Sequence, residues 1–94
     1  MLISMPTHSG DISKGKVKSE LCAGCHGVKG ISSSSIIPNL AGQKQGYLVS
    51  SLKSFKNGSR KNSIMASVVI KISDDDIDDL SSYYSSLSMA GNEN

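Results

Sequence analysis

The stretch Cys22-Ala23-Gly24-Cys25-His26 decides how the rest of this chain is read. Cys22 and Cys25 are its only cysteines, and at this spacing they cannot close a large loop as a long-range disulfide. They form a local redox pair, bind a metal or anchor something. With two residues between them, one helical turn presents both sulfurs on one side, and the imidazole of His26 follows at once. The small residues Ala23 and Gly24 keep that turn clear of whatever the sulfurs hold.

A thioredoxin-like dithiol calls for a βαβ setting, which this helix-rich chain does not offer. A zinc site would draw on Cys22, Cys25, His26 and His8, the only other histidine, but His8 belongs to a loose N-terminal stretch. The string matches instead the pattern of covalent haem attachment, in which two thiols add to the haem vinyl groups and the adjacent imidazole binds iron.

Length and composition agree with a buried prosthetic group. Ninety-four residues make one domain, and a chain this short buries too little apolar surface to be comfortably stable unaided. With 37% hydrophobic and 4% aromatic residues, no Trp and a single Phe, a protein-only core would be thin. No stretch approaches the roughly 18 apolar residues of a membrane span. The opening Met1-Leu2-Ile3-Ser4-Met5 lacks a charged start and a long apolar run, so it is not an intact export signal, and export would imply a mature or trimmed chain.

Outward from the motif the pattern is helical. Asp11 is a suitable N-cap for a helix running towards Cys22, with Ile12, Val17 and Leu21 as its apolar positions. Gly15 within it costs about 1 kcal/mol relative to Ala, which points to a close crossing by another helix or a cofactor, the alternative being an idle surface glycine. The glycines and Ser32 to Ser35 after the motif read as a surface loop. From about Gln43 to Phe55, Tyr47, Leu48, Leu52 and Phe55 recur at helical spacing, and Asn57-Gly58 supplies a stop. Ser59 to Met65 reads as polar and irregular, and Ala66 to Ile72 as a short helix or turn. Ser73 and Asp76 fit a capping box with Asp in place of Glu, and Ile77, Leu80, Tyr84 and Leu87 form the clearest helical stripe. The expected organisation is a flexible segment over 1–9, one domain over 10–90 and a frayed tail over 91–94.

From about Gly10 to Leu87 the chain resembles the class I c-type cytochromes, especially the small bacterial monohaem type of the cytochrome c5 and c553 kind. The resemblance rests on the attachment string, on Ile37-Pro38-Asn39-Leu40-Ala41-Gly42-Gln43, on Arg60-Lys61-Asn62-Ser63-Ile64-Met65, and on the helix order, which ends in a Tyr-bearing helix. It implies an all-α cytochrome c fold, three main helices plus short turns wrapped around one haem c held covalently by Cys22 and Cys25. It implies His26 and Met65 as the iron ligands, with Pro38 offering a backbone carbonyl to the axial imidazole. Leu40, Tyr47, Leu48, Leu52 and Phe55 would line or back the pocket, and Arg60 and Asn62 are candidate donors to a propionate or around the axial Met. Gly15 would cross the last helix at Tyr83, by likeness to the family, or at Tyr84, by the helical stripe. Serines at 50, 51, 81, 82, 85 and 86, on faces the family often fills with Ala, lead to the expectation of a less stable, cold-adapted scaffold.

The implied function is electron transfer without substrate chemistry, since two filled axial positions leave iron no open site. The alternative is a haem-based sensor or peroxidase-like domain with a displaceable sixth ligand, and a third reading is a haem domain cut from a larger oxidoreductase. Expected partners are redox proteins, either membrane respiratory complexes or soluble reductases and oxidases, met as a monomer or weak dimer; no feature argues for nucleic acid. The formal charge of +2 combines a basic stretch over residues 1–73 with an acidic remainder. Lysines at 14, 16, 18, 29, 44, 53, 56 and 61 are candidates to flank a haem edge and steer docking. Covalent haem attachment of this kind implies the periplasm.

Overall fold

The computed structural model describes residues 10–35 and 37–87. Five helices follow in chain order, α1 (Ile12–Lys18), α2 (Glu20–His26), α3 (Gln45–Asn57), α4 (Ser63–Val69) and α5 (Asp74–Ser85), with no strand among the described residues. The expected all-α architecture is present, but with five helices where three main ones were expected.

The first expected helix is two. Asp11 caps α1 by accepting from the Lys14 N–H, but the chain breaks at Ser19, whose hydroxyl donates to the Lys16 carbonyl at 2.6 Å. A serine that bonds back to its own helix competes with the ladder and tightens it, and the Cys22 N–H accordingly reaches only three residues back, to Ser19. α2 then carries the whole attachment string to His26 and stops at Gly27. The φ of 89° there suits glycine, and a Cβ would strike the Ile31 carbonyl.

The apolar residues expected to anchor α1 do not do so: Ile12 and Val17 are 51% and 70% exposed. The buried residue of α1 is Gly15. A Cβ there would strike the Asp79 carbonyl and lie 2.7 Å from Tyr83 Cβ, so α1 lies directly on the backbone of α5, and Tyr83 is the ring at the crossing. A buried carboxylate locks the crossing. Asp79 Oδ1 accepts from the Asp11 N–H at 2.8 Å and Oδ2 from Lys18 Nζ at 2.9 Å, while Lys18 also pairs with Asp76.

α4 begins at Ser63, earlier than expected, because the Asn62 side chain caps it by accepting from the Ile64 and Met65 N–H groups, both at 3.0 Å. α5 starts on the anticipated capping box, Ser73 Oγ accepting from the Asp76 N–H and Asp76 Oδ2 from the Ser73 N–H. The core joins Leu48, Val69, Ile72, Ile77, Leu80, Tyr83 and Tyr84. Two of the serines counted as helix-face positions, Ser81 and Ser82, are buried, and Ser82 accepts from the Gln45 side-chain amide at 2.9 Å.

Candidate functional site

A cavity of about 350 Å³ opens between α2, α3, α4 and α5. α2 brings Cys22, Cys25 and His26 to it. Cys22 is partly buried and Cys25 exposed. Burial pushes the free Cys22 thiol above its usual range, with the neighbouring Tyr84 hydroxyl acting in the opposite sense.

The loop after α2 fixes the imidazole. The Gly30 carbonyl accepts from the Leu40 and Ala41 N–H groups at 2.7 and 3.1 Å, and Asn39 Oδ1 accepts from the Ser32 N–H at 2.7 Å. The loop is thereby folded back so that the Pro38 carbonyl stands 2.8 Å from His26 Nδ1. A carbonyl only accepts, so Nδ1 carries a proton, and in the neutral imidazole Nε2 is then the nitrogen with the lone pair. His26 is 8% exposed, the one buried residue of α2.

All twelve residues expected to attach, ligate or surround a haem border this cavity. Leu40, Leu52 and Phe55 are half-buried around the core, Leu48 belongs to the core itself, and Met65 reaches the cavity from α4. The Arg60 guanidinium lies 4.6 Å from the Phe55 ring centre, within cation–π range. The Tyr47 phenol is held below its usual pKa by a hydrogen bond with Ser51 and by the adjacent Arg60. The Asn62 side-chain oxygen is committed to capping α4, so its link to Met65 runs through the backbone.

The sequence reading missed Leu21, Ile37, Ser51, Ile64, Val68, Leu80, Ser81 and Tyr84 as cavity residues. Ser51 completes the stripe Tyr47, Leu48, Ser51, Leu52, Phe55 but is polar and so adds no apolar signal to it. Ile64 and Val68 flank Met65 at helical spacing, a signal hidden by the polar run from Ser59 to Ser63 that precedes it. Lys18 and Lys56, expected on a docking surface, are engaged within the fold: Lys18 with Asp76 and Asp79, Lys56 with the Ile72 carbonyl at 2.7 Å. His8 lies outside the described residues, and among those described no group of three His, Cys, Asp or Glu side chains could hold a metal ion.

The cytochrome c family profile matches residues 12–88. The chain belongs to the cytochrome c family. It is 41% identical over 81 residues to cytochrome c-554(548) of Halomonas halodenitrificans, covering 83% of this cytochrome and 98% of that protein. It is 38% identical over 76 residues to the cytochrome subunit of sulfide dehydrogenase of Chlorobaculum tepidum, covering 81% of this chain and 68% of that one. The crystal structure of reduced recombinant cytochrome c4 from Pseudomonas stutzeri superposes with a TM-score of 0.76 at 31% identity, over 82% of this chain and 48% of that one. This cytochrome thus spans nearly the whole Halomonas protein and about half of the cytochrome c4 chain.

The family and its paired cysteines mean one covalent haem c, held by Cys22 and Cys25. The structure fits such a group. The cavity walls are mainly Leu, Ile, Val and aromatic side chains, and two buried hydroxyls on its α5 wall, Ser81 Oγ and Tyr84 Oη, find no hydrogen-bond partner among the described residues. The chain is therefore an electron-carrying cytochrome. No helix among the described residues is long and apolar enough to cross a membrane.

Proposed function

We propose that this cytochrome is a single-electron shuttle between respiratory redox proteins, with His26 and Met65 as the residues that would ligate its haem iron. The observation that carries the reading is an imidazole whose Nδ1–H is tied to Pro38, leaving Nε2 free, on the same cavity as a thioether. The haem, when bound, supplies a one-electron ferric–ferrous couple whose potential is raised by imidazole and thioether ligation. His26 holds its ring orientation and tautomer through Pro38. Met65 is delivered by a helix turn that Asn62 pins. Leu40, Leu48, Leu52 and Phe55 exclude water, and Arg60 presents donors to a carboxylate at the cavity mouth.

Two protein ligands leave no open position for a substrate, so the activity is transfer rather than catalysis. A carrier of this kind serves dehydrogenases and oxidases, and the similarity to a cytochrome subunit of sulfide dehydrogenase supports partners of that class. The periplasm is the proposed compartment. The test is the absorption spectrum of the ferric and ferrous protein at neutral pH. The weak far-red band of ferric haem bound to methionine sulfur is expected, and its loss in Met65→Ala. Haem without that band, with rapid carbon monoxide binding to the reduced protein, would favour a sensor or peroxidase-like domain instead.

A further inference from the structure

Two buried polar groups stand on the inner face of α5. Ser81 and Tyr84 are 0% and 2% exposed, both border the cavity, and neither hydroxyl has a hydrogen-bond partner among the described residues. Three residues apart on a helix, they share one face. A buried hydroxyl without a partner forfeits its hydration and gains nothing in return, so leucine or alanine would serve a purely apolar wall better.

Tyr84 is the better placed of the two. Cys22 packs against the core cluster that holds Tyr84 and both border the cavity, so the phenol lies near the Cys22 sulfur, and near the Ser19 side chain, without completing a hydrogen bond to either. Ser19 spends its own proton on the Lys16 carbonyl at 2.6 Å, so it has none to give. The phenol remains protonated, since burial holds it well above its ordinary range, and it therefore faces the sulfur as a donor. A sulfur converted to a thioether keeps its lone pairs and accepts weakly.

We infer that Tyr84 is a positioning residue of the electron-transfer site: its hydroxyl, which completes no hydrogen bond to the free thiol, donates to the sulfur once Cys22 holds the haem. The bond orients that linkage and aims the positive end of the O–H dipole at the edge of the group that gains the electron. Hydrogen bonding around the cofactor is one of the levers by which a protein sets a potential, and this orientation favours the reduced form. The inference rests on covalent attachment at Cys22, and is independent of which side chain provides the sixth ligand.

The test is the midpoint potential of Tyr84→Phe. At a fixed applied potential the ferrous-to-ferric ratio is expected to fall about threefold, which is about 30 mV at 59 mV per tenfold for one electron, with covalent haem and the far-red band retained. Tyr83→Phe, one residue away at the α1 crossing, is expected to leave the potential unmoved. An unchanged potential in Tyr84→Phe with the band intact overturns the inference and leaves the carrier reading standing, whereas absence of the band from the wild type overturns the ligand pair and not Tyr84. Should Tyr84→Phe fail to mature, the wild type decides. A shift of the Cys22 carbon–sulfur stretch in the resonance Raman spectrum after equilibration in D₂O, retained in Ser19→Ala, supports the bond. No shift overturns it, and a shift lost in Ser19→Ala assigns the proton to Ser19 and overturns it too.

Discussion

The α1–α5 crossing and the α2–α3–α4 side of the molecule are built on different terms. α5 buries seven of its twelve residues, and its contact with α1 is closed by protein atoms alone: a glycine on a backbone, a tyrosine ring and a buried carboxylate with two donors. α3, one residue longer, buries only Leu48, and α2 and α4 bury one residue each. Their apolar side chains converge on a cavity. The difference teaches that one half of this small fold is complete as protein, whereas the other takes its core from the haem.

The largest expected effect breaks the comparison outright. Cys22→Ala with Cys25→Ala removes the anchors, and the chain is expected to lose most of its helical circular dichroism and its cooperative melt, because a binder's free energy is part of folding stability. A retained sharp transition in the haem-free chain would show that the α2–α3–α4 side closes without the cofactor. Next, Gly15→Val forces a side chain into the Asp79 carbonyl and is expected to cost about 3 kcal/mol, read by denaturant titration, with the far-red band unchanged in the folded fraction. A smaller cost would mean that α1 can ride off α5.

Asp79→Asn keeps the shape but loses the charge that Lys18 and the Asp11 N–H share, and about 2 kcal/mol is expected by the same titration. Asn62→Ala acts on the opposite side. Loss of the α4 cap is expected to cost about 1 kcal/mol and to weaken the far-red band on warming before the global melt, since Met65 lies in the turn that the cap holds.

The smallest effect is the pH dependence of the crossing. Hydrogen bonding to Lys18 lowers the Asp76 pKa from 3.8, so its contribution is present above that value and lost as pH falls. Lys18 is raised above 10.5, chiefly by Asp76 and then by Asp79, so its contribution is whole below that value and lost as pH rises. The melting temperature of the ferrous protein is therefore expected to be flat between and to decline on both sides, with Lys18→Met removing the alkaline decline. An unchanged alkaline limb in that variant would separate the ion pair from the crossing.

What the sequence by itself determined was local. The attachment string, the Asp11 and Ser73 caps, the α5 stripe and the apolar positions of α3 are set by neighbours within a turn or two, and such interactions can be read from spacing. Pro38 and Met65 were legible through family likeness alone, because no spacing rule links them to His26. Only the tertiary structure decided that Tyr83 takes the crossing and Tyr84 the cavity, that Asp79 is a buried lock and not one more surface acid, and that Ile12 and Val17 stand exposed beside the Gly15 contact of α1. Each of these depends on the angle at which α1, near the start of the chain, meets α5, near its end, and adjacent residues on one helix part to opposite sides of that contact by a rotation of about 100° per residue.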